Sequence, residues 1–267
     1  MKLAIIGAGP AGLATAWALK DSPVEVQVFE KSRGVSGRAA SRTRNGARFD
    51  FGANYIRLDT PELERLVLTE LPTDDLTRID AEVWTFDGQG KLAPGDPVQN
   101  RNPRWTYTSG ISTLGKMLAD AGSATVHTGC RITSLQHREG LWFLAGEGDI
   151  TGEGFDAVLL TPPAPQTLDL IANSTLEDVP VAVLGSALKQ ARYHAQWCFA
   201  LGFHEPLQRQ DNCFAMINTD RNHDVAWLSF ENDKPGRELG GATVMMVQMS
   251  PAWSVAYLNA EGADLID

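Results

Sequence analysis

The run Gly7-Ala8-Gly9-Pro10-Ala11-Gly12 and the carboxylate of Glu30, 18 positions after Gly12, have the types and spacing to hold a dinucleotide. Gly7 permits a tight turn, Gly9 lets a pyrophosphate approach the backbone, and Gly12 lets a helix pack closely on a strand. Pro10 and Ala11 open that helix, whose N-terminus presents free N–H groups and the positive end of its dipole to phosphate. Glu30 can accept hydrogen bonds from both hydroxyls of an adenosine ribose and disfavours a 2′-phosphate, so FAD or NAD fits better than NADP. The Gly-rich basic segment Arg33-Gly34-Val35-Ser36-Gly37-Arg38 follows directly. A simple nicotinamide domain has no need of it, whereas an extended flavin dinucleotide has a second pyrophosphate face to neutralise. FAD is therefore the first choice, with Arg38 closing on its phosphates.

A Gly-x-Gly-x-x-Gly run alone is an ordinary turn; its context makes it a binding site. Leu3, Ala4, Ile5 and Ile6 read as a strand entering the turn, and Leu13, Trp17 and Leu19 as the helix leaving it. Val24, Val26 and Val28 alternate with Glu25 and Gln27, the period of a strand with one buried face. The whole βαβ unit fits in about 30 residues.

Composition excludes several classes. Lys plus Arg number 23 against 33 Asp plus Glu, a formal charge of -10, so there is no basic surplus for nucleic acid. Cys130, Cys198 and Cys213 show no Cys-x-x-Cys spacing and the five histidines no pairing, so no metal site is expected. Free thiols in a reducing compartment are the expected state. No stretch approaches the ~20 apolar residues of a membrane span, and the apolar run after Lys2 is the first strand rather than a leader. A soluble, cytoplasmic protein is the reading.

In a chain of 267 residues the nucleotide fold occupies only part, which predicts two interleaved domains. Residues 47–55 read as a short strand entering a loop whose Asn54 and Tyr55 could hold the edge of a flat ring. A helix over 61–69 and a strand over 83–86 belong to an excursion, and a helix with Leu114, Met117 and Leu118 on one face follows Ser112 as its cap. Strands are expected over 124–128, 131–136, 141–145 and 155–161, with Ile132 offering its backbone to an adenine. Val158-Leu159-Leu160 has the continuous apolar run of a strand buried on both faces, and Thr161-Pro162-Pro163 stops it. Beyond it come a helix over 166–172 and strands over 197–203, 214–218, 226–230 and 243–249, read as an antiparallel sheet with few helices. The FAD domain is placed at 1–57 and 103–163, and the substrate domain at 58–102 and 164–267.

The glycine turn, the Glu30 to Arg38 segment and Phe49-Asp50-Phe51-Gly52-Ala53-Asn54-Tyr55 together resemble FAD-dependent enzymes of the flavin amine oxidase superfamily. Thr161-Pro162-Pro163-Ala164-Pro165-Gln166, Trp227-Leu228 and Lys234-Pro235-Gly236-Arg237 are similar, more narrowly, to bacterial renalase-type oxidoreductases. The resemblance implies an α/β fold: a Rossmann-like FAD domain of glutathione-reductase type with an interleaved α+β substrate domain like that of p-hydroxybenzoate hydroxylase. It implies oxidation of aberrant reduced nicotinamide nucleotides, NAD(P)-type molecules, with oxygen as electron acceptor and hydrogen peroxide as product. The expected cofactor contacts are Gly7, Gly9, Pro10, Ala11, Gly12, Glu30, Lys31, Arg38, Asn54, Tyr55, Ile132 and Thr161. Tyr55 and Trp227 are expected to line the substrate pocket, between flavin and substrate domain. Asn54 stands where renalases usually carry Gln, and Gln248 where some members carry His.

Renalases also continue for several tens of residues with a Gly-Asp pair before a last helix. Here Gly95-Asp96 and Gly148-Asp149 lie elsewhere, and a helix starting at Ser250-Pro251 is followed by the apolar pair Leu265 and Ile266. The chain thus reads as shorter than the fold it resembles, with poor FAD retention and slow or absent catalysis expected. Three functions compete: a flavin oxidase of reduced nicotinamide-like molecules, a flavin amine oxidase, and a dinucleotide-binding protein without oxidase activity.

Overall fold

In the computed structural model, residues 1–148, 150 and 152–265 are described. Asp149 and Ile266, which figure in the expected Gly-Asp pair and terminal apolar pair, lie outside the described residues. The chain divides into two compact units, Met1–Ala39 with Ser112–Arg192, and Ala40–Ile111 with Tyr193–Asp267. The sequence pattern and the Thr161-Pro162-Pro163 stop put the crossings at 57, 102 and 163. The difference has physical sources. Helices Ala164–Ala172 and Val181–Gln190 pack on each other, and the former packs on strand Arg131–Arg138, which keeps them in the first unit. Strand Ala47–Asp50 shares a core of Ala47, Leu239, Val244 and Met246 in the second.

The first unit is built on a four-stranded parallel sheet in the order Ala157–Leu160, Lys2–Ile6, Glu25–Glu30, Thr125–Thr128. Ile5 sits beside Val28 on one side and Leu159 on the other. Helices Pro10–Ala18 and Thr113–Ala121 pack on one another, with Gly115 meeting Ser36 so closely that a Cβ there would sit 2.5 Å from its side chain. Ser112 occupies the N-cap position of the second helix without a side-chain capping bond. A smaller sheet joins Leu141–Glu147, Arg131–Arg138 and Thr175–Leu176. Cys130, Phe29, Leu135, Leu144, Phe155 and Leu170 form the core between the sheets.

Two strand burials invert the expectation. Glu25–Glu30, expected to bury one face, is buried on both from Val26 onward because helix Pro10–Ala18 and strand Arg131–Arg138 both pack on it, besides its two neighbours in the sheet. Gln27 is tolerated there because its amide bonds Glu153 at 2.6 Å and His127 at 3.1 Å. Ala157–Leu160, expected to be fully buried, is the edge of its sheet and half-buried throughout.

The second unit carries a six-stranded sheet in the order Cys198–Phe203, Thr243–Met249, Val225–Phe230, Cys213–Asn218, Glu82–Phe86, Leu92–Ala93. It is antiparallel except where Cys213–Asn218 runs parallel to Glu82–Phe86. The expected helix over 61–69 is Pro61–Arg65, capped by Thr60 and continued by a π-helical turn Leu66–Glu70. Ser250 caps helix Pro251–Ala256 through Trp253 N–H, as its sequence suggests. The short strand expected in 47–55 is Ala47–Asp50, which pairs with Ser41–Arg44 in a hairpin. Its signal is Asn45-Gly46, both at positive φ, the pair favoured by a two-residue type I′ turn. All three cysteines are free, and among the described residues no helix is long and apolar enough to cross a membrane.

Candidate functional site

The glycine turn is held by the segments expected to assist it. Gly7 adopts φ 105, and a Cβ on Gly12 would fall 2.1 Å from the Gly7 carbonyl, so neither position admits a side chain. Gly9 differs: nothing lies within 4 Å of a Cβ built on it. The open face at Gly9 is where backbone and phosphate can approach. Helix Pro10–Ala18 begins there with no side-chain cap and no acidic residue in its first turn, so its N–H groups and positive end are undiluted.

Glu30 is 7% exposed. Its Oε2 accepts from Ala8 N–H at 2.9 Å and its Oε1 from Ser32 N–H at 2.8 Å, which fixes the carboxylate at the end of its strand. Each oxygen keeps a lone pair for a ribose hydroxyl. The basic segment docks on the turn through Ser36, whose N–H donates to the Ala8 carbonyl at 2.8 Å, and Gly37 sits close enough that a Cβ would meet Gly9 Cα at 3.1 Å. Ser36 is buried at φ 85 and Arg38 is exposed at the end of this loop. Thr161 shares its hydroxyl hydrogen between the Ile6 and Gly7 carbonyls at 2.8 and 3.1 Å, so it braces the turn. Lys31 reaches Gln166 at 3.1 Å on the surface, and Ile132 is half-buried at a bulge in its strand. These donors and open spaces fit a dinucleotide.

Asn54, Tyr55 and Trp227 belong to the second unit. Asn54 Oδ1 accepts from Ser229 Oγ at 3.0 Å. Tyr55 and Trp227 stand 6.2 Å apart and both pack on Phe214, at 6.3 and 6.4 Å. They line a cavity of about 250 Å³ together with Arg57, Asp96, Asn100 and Arg104. A wider cleft of about 970 Å³ opens along strand Cys198–Phe203 beside Arg42, Phe51 and Trp197. Gln248 donates to the Gly52 carbonyl at 3.3 Å.

Nearby in the same unit lies a buried ionic cluster. Lys234 Nζ contacts Asp50 Oδ2 at 2.8 Å and Glu231 Oε1 at 2.6 Å, while Arg237 pairs with Asp50 and, at 3.2 Å, with Glu231. Asp50 Oδ1 also accepts from Ile111 N–H at 2.9 Å and Ser41 Oγ at 2.6 Å. Sequence reasoning singled out Lys234 and Arg237 only as marks of resemblance. The spacing of Glu231, Lys234 and Arg237, three residues apart each time, was the available signal. Arg57 and Arg104 carried no signal, because the strand and loop that bring them to one cavity are distant in sequence.

Residues 5–69 match the profile of the NAD(P)-binding Rossmann-like domain. Over 66 residues the chain is 39% identical to protoporphyrinogen oxidase 2, chloroplastic/mitochondrial, of Arabidopsis thaliana, and over 69 residues 38% identical to the 4,4'-diapophytoene desaturase of Staphylococcus aureus. These stretches cover 25% and 26% of this chain and 13% of each relative. The relatives are oxidoreductases, and the stretches shared with them are short. Solved structures extend the likeness of fold. A wild-type putrescine oxidase bound to putrescine aligns with a TM-score of 0.69 at 13% identity, over 99% of this chain and 79% of that one. An oxidoreductase from Methanosarcina mazei aligns with a TM-score of 0.69 at 15% identity, over 97% and 82%.

Proposed function

We propose that this chain is an FAD-dependent oxidoreductase of the flavin amine oxidase type, an oxidase that accepts a hydride from a reduced nicotinamide-like small molecule and passes the electrons to oxygen. The observation that carries the dinucleotide assignment is the first unit's constellation: open space at Gly9, an uncapped helix N-terminus beside it, and the Glu30 carboxylate fixed by two N–H groups. The basic loop ending at Arg38, docked on the turn through Ser36, favours the flavin over the nicotinamide dinucleotide as resident cofactor. Lys31, Ile132, Asn54, Tyr55 and Thr161 remain its further proposed contacts, Thr161 by shaping the turn.

Bound FAD would take up the hydride and, with a proton from solvent, return two electrons and two protons to dioxygen as hydrogen peroxide. The chain's own part is to bind and orient. The Gly7 to Gly12 backbone and Arg38 hold the pyrophosphate, Glu30 holds the ribose, and Tyr55 and Trp227 offer aromatic walls to a planar donor. No acid or base need act on a hydride donor.

A visible spectrum with bands near about 370 and 450 nm, with mass spectrometry of released cofactor, tests the assignment. A colourless protein that takes up no FAD would overturn it. Glu30→Gln, which keeps the shape and removes the charge, is expected to weaken FAD binding by about 1–3 kcal/mol in calorimetry. Turnover of dihydronicotinamide isomers against amines decides the substrate, and preferential oxidation of amines would replace this reading with the amine oxidase one.

A further inference from the structure

Arg104 is 5% exposed and lines the aromatic cavity of the second unit. Its hydrogen bonds go to neutral groups, Ala81 carbonyl at 2.8 Å and Asn100 Oδ1 at 3.3 Å. Its Nε has no hydrogen-bond partner, and no carboxylate lies within ion-pair distance of it among the described residues. Burial costs the guanidinium charge its hydration and lowers its pKa, while Tyr55, Glu82 and Asp80 act on it only through space. Arg57 on the same wall adds a second positive charge and is tied to Asp59 at 3.1 Å and to Gln99 at 3.0 Å. The cavity's carboxylate, Asp96, spends Oδ1 on the N–H groups of Val98 and Gln99. A second unpaired donor belongs to a residue of the same lining: Trp227 Nε1 is buried and has no partner.

A guanidinium removed from water is stabilised by a countercharge, and donors without acceptors are costly to bury. We propose that this cavity recognises the oxyanion of a small planar ligand, a carboxylate or a phosphate, with Arg104 as its principal partner, Arg57 as a second charge and Trp227 Nε1 as a neutral donor. Tyr55 and Trp227 supply the apolar faces for the ligand's ring. The inference rests on the proposed function only in naming this ligand as the substrate class: an anionic hydride donor rather than a cationic amine.

The test is calorimetric titration of the full chain with four probes that share a phenyl ring: benzoate, phenyl phosphate, benzamide and benzylamine. The expected result is that benzoate or phenyl phosphate binds at least tenfold more tightly than benzamide, with benzylamine weakest, and that added salt weakens only the anions. The stronger of the two anions identifies the oxyanion. Arg104→Met should abolish anion selectivity. Because Arg104 also ties Ala81 to helix Pro97–Arg101 through Asn100, Arg57→Gln and Trp227→Phe are measured beside it, each expected to weaken anion binding severalfold. Equal affinity for benzamide, preference for benzylamine, no binding of any probe, or unchanged benzoate affinity in all three variants would overturn the proposal. The two readings fail separately: a colourless protein that binds benzoate loses the oxidoreductase, and a yellow one that turns over benzylamine loses the oxyanion site.

Discussion

Arg237 and Arg104 are buried in the same unit, one on each side of a boundary between structure and recognition. Arg237 is surrounded by charge of the opposite sign, pairing with Asp50 and Glu231, which also hold Lys234. Two cations face two anions, and Ile111 N–H, Ser41 Oγ and the Thr108 carbonyl take up further hydrogen-bonding capacity. Arg104 has a carbonyl and an amide oxygen and no carboxylate in contact. Burying the same guanidinium therefore means different things. A charge in contact with its countercharges ties segments together, whereas one without an ion-pair partner keeps capacity for an anion.

The comparison breaks first at Asp50. Asp50→Asn leaves Lys234 and Arg237 facing Glu231 alone, and removing one partner of a buried network costs about 3–5 kcal/mol. Urea unfolding should show that loss. A change under about 1 kcal/mol would mean that water reaches the cluster and that it does not brace the unit. Arg104→Met is the converse. It gives up two hydrogen bonds to neutral groups, about 1 kcal/mol each, but also removes a buried charge with no carboxylate in contact, so the net loss should be about 1 kcal/mol or less. A loss as large as that at Asp50 would make Arg104 a structural residue.

How far these sites were legible follows from the range of the contacts that make them. The dinucleotide cradle was readable because its parts are consecutive: the glycines need their turn whatever else the chain does, and Glu30 ends the next strand. Even there, Thr161 was placed by motif position, and only the structure shows its hydroxyl spent on the turn's own carbonyls. The burial of the Val26 and Val158 strands was misjudged because strand order, which no local pattern encodes, decides which is central. The cavity was half legible. Tyr55 and Trp227 stood out as aromatics, while Arg104 looks like any strand-edge arginine until Ala81 and Asn100 close around it.

Asp75 extends the comparison toward pH. Burial alone would raise its pKa, but the hydroxyls of Ser109 and Thr108, the Ser109 N–H and the charge of Arg237 lower it further than burial raises it. With the folded value below the unfolded one, its contribution is present above about pH 4 and is lost as pH falls through the folded value. Asp75→Asn should therefore shallow the acid limb of a stability-against-pH curve and lower stability at neutral pH. An unchanged acid limb would show that these hydroxyls do not favour the ionised form.

The smallest effect on stability is expected at Trp227, where two terms oppose. Phenylalanine keeps the ring against Tyr55 and Phe214 but gives up roughly 40 Å² of apolar surface, ~1 kcal/mol. It also removes Nε1, a buried donor with no partner, whose desolvation costs ~1–3 kcal/mol while it stays unsatisfied. The terms nearly cancel in the unliganded protein, so Trp227→Phe should change unfolding free energy by no more than about 0.5 kcal/mol. With an acceptor bound, the cancellation ends, because only tryptophan can then donate. A variant as stable as the parent that binds benzoate severalfold more weakly separates recognition from packing at one atom. If instead stability drops by more than about 2 kcal/mol while benzoate binding is unchanged, the indole serves as core, and its unpaired nitrogen is a tolerated cost of filling the space beside Tyr55 and Phe214.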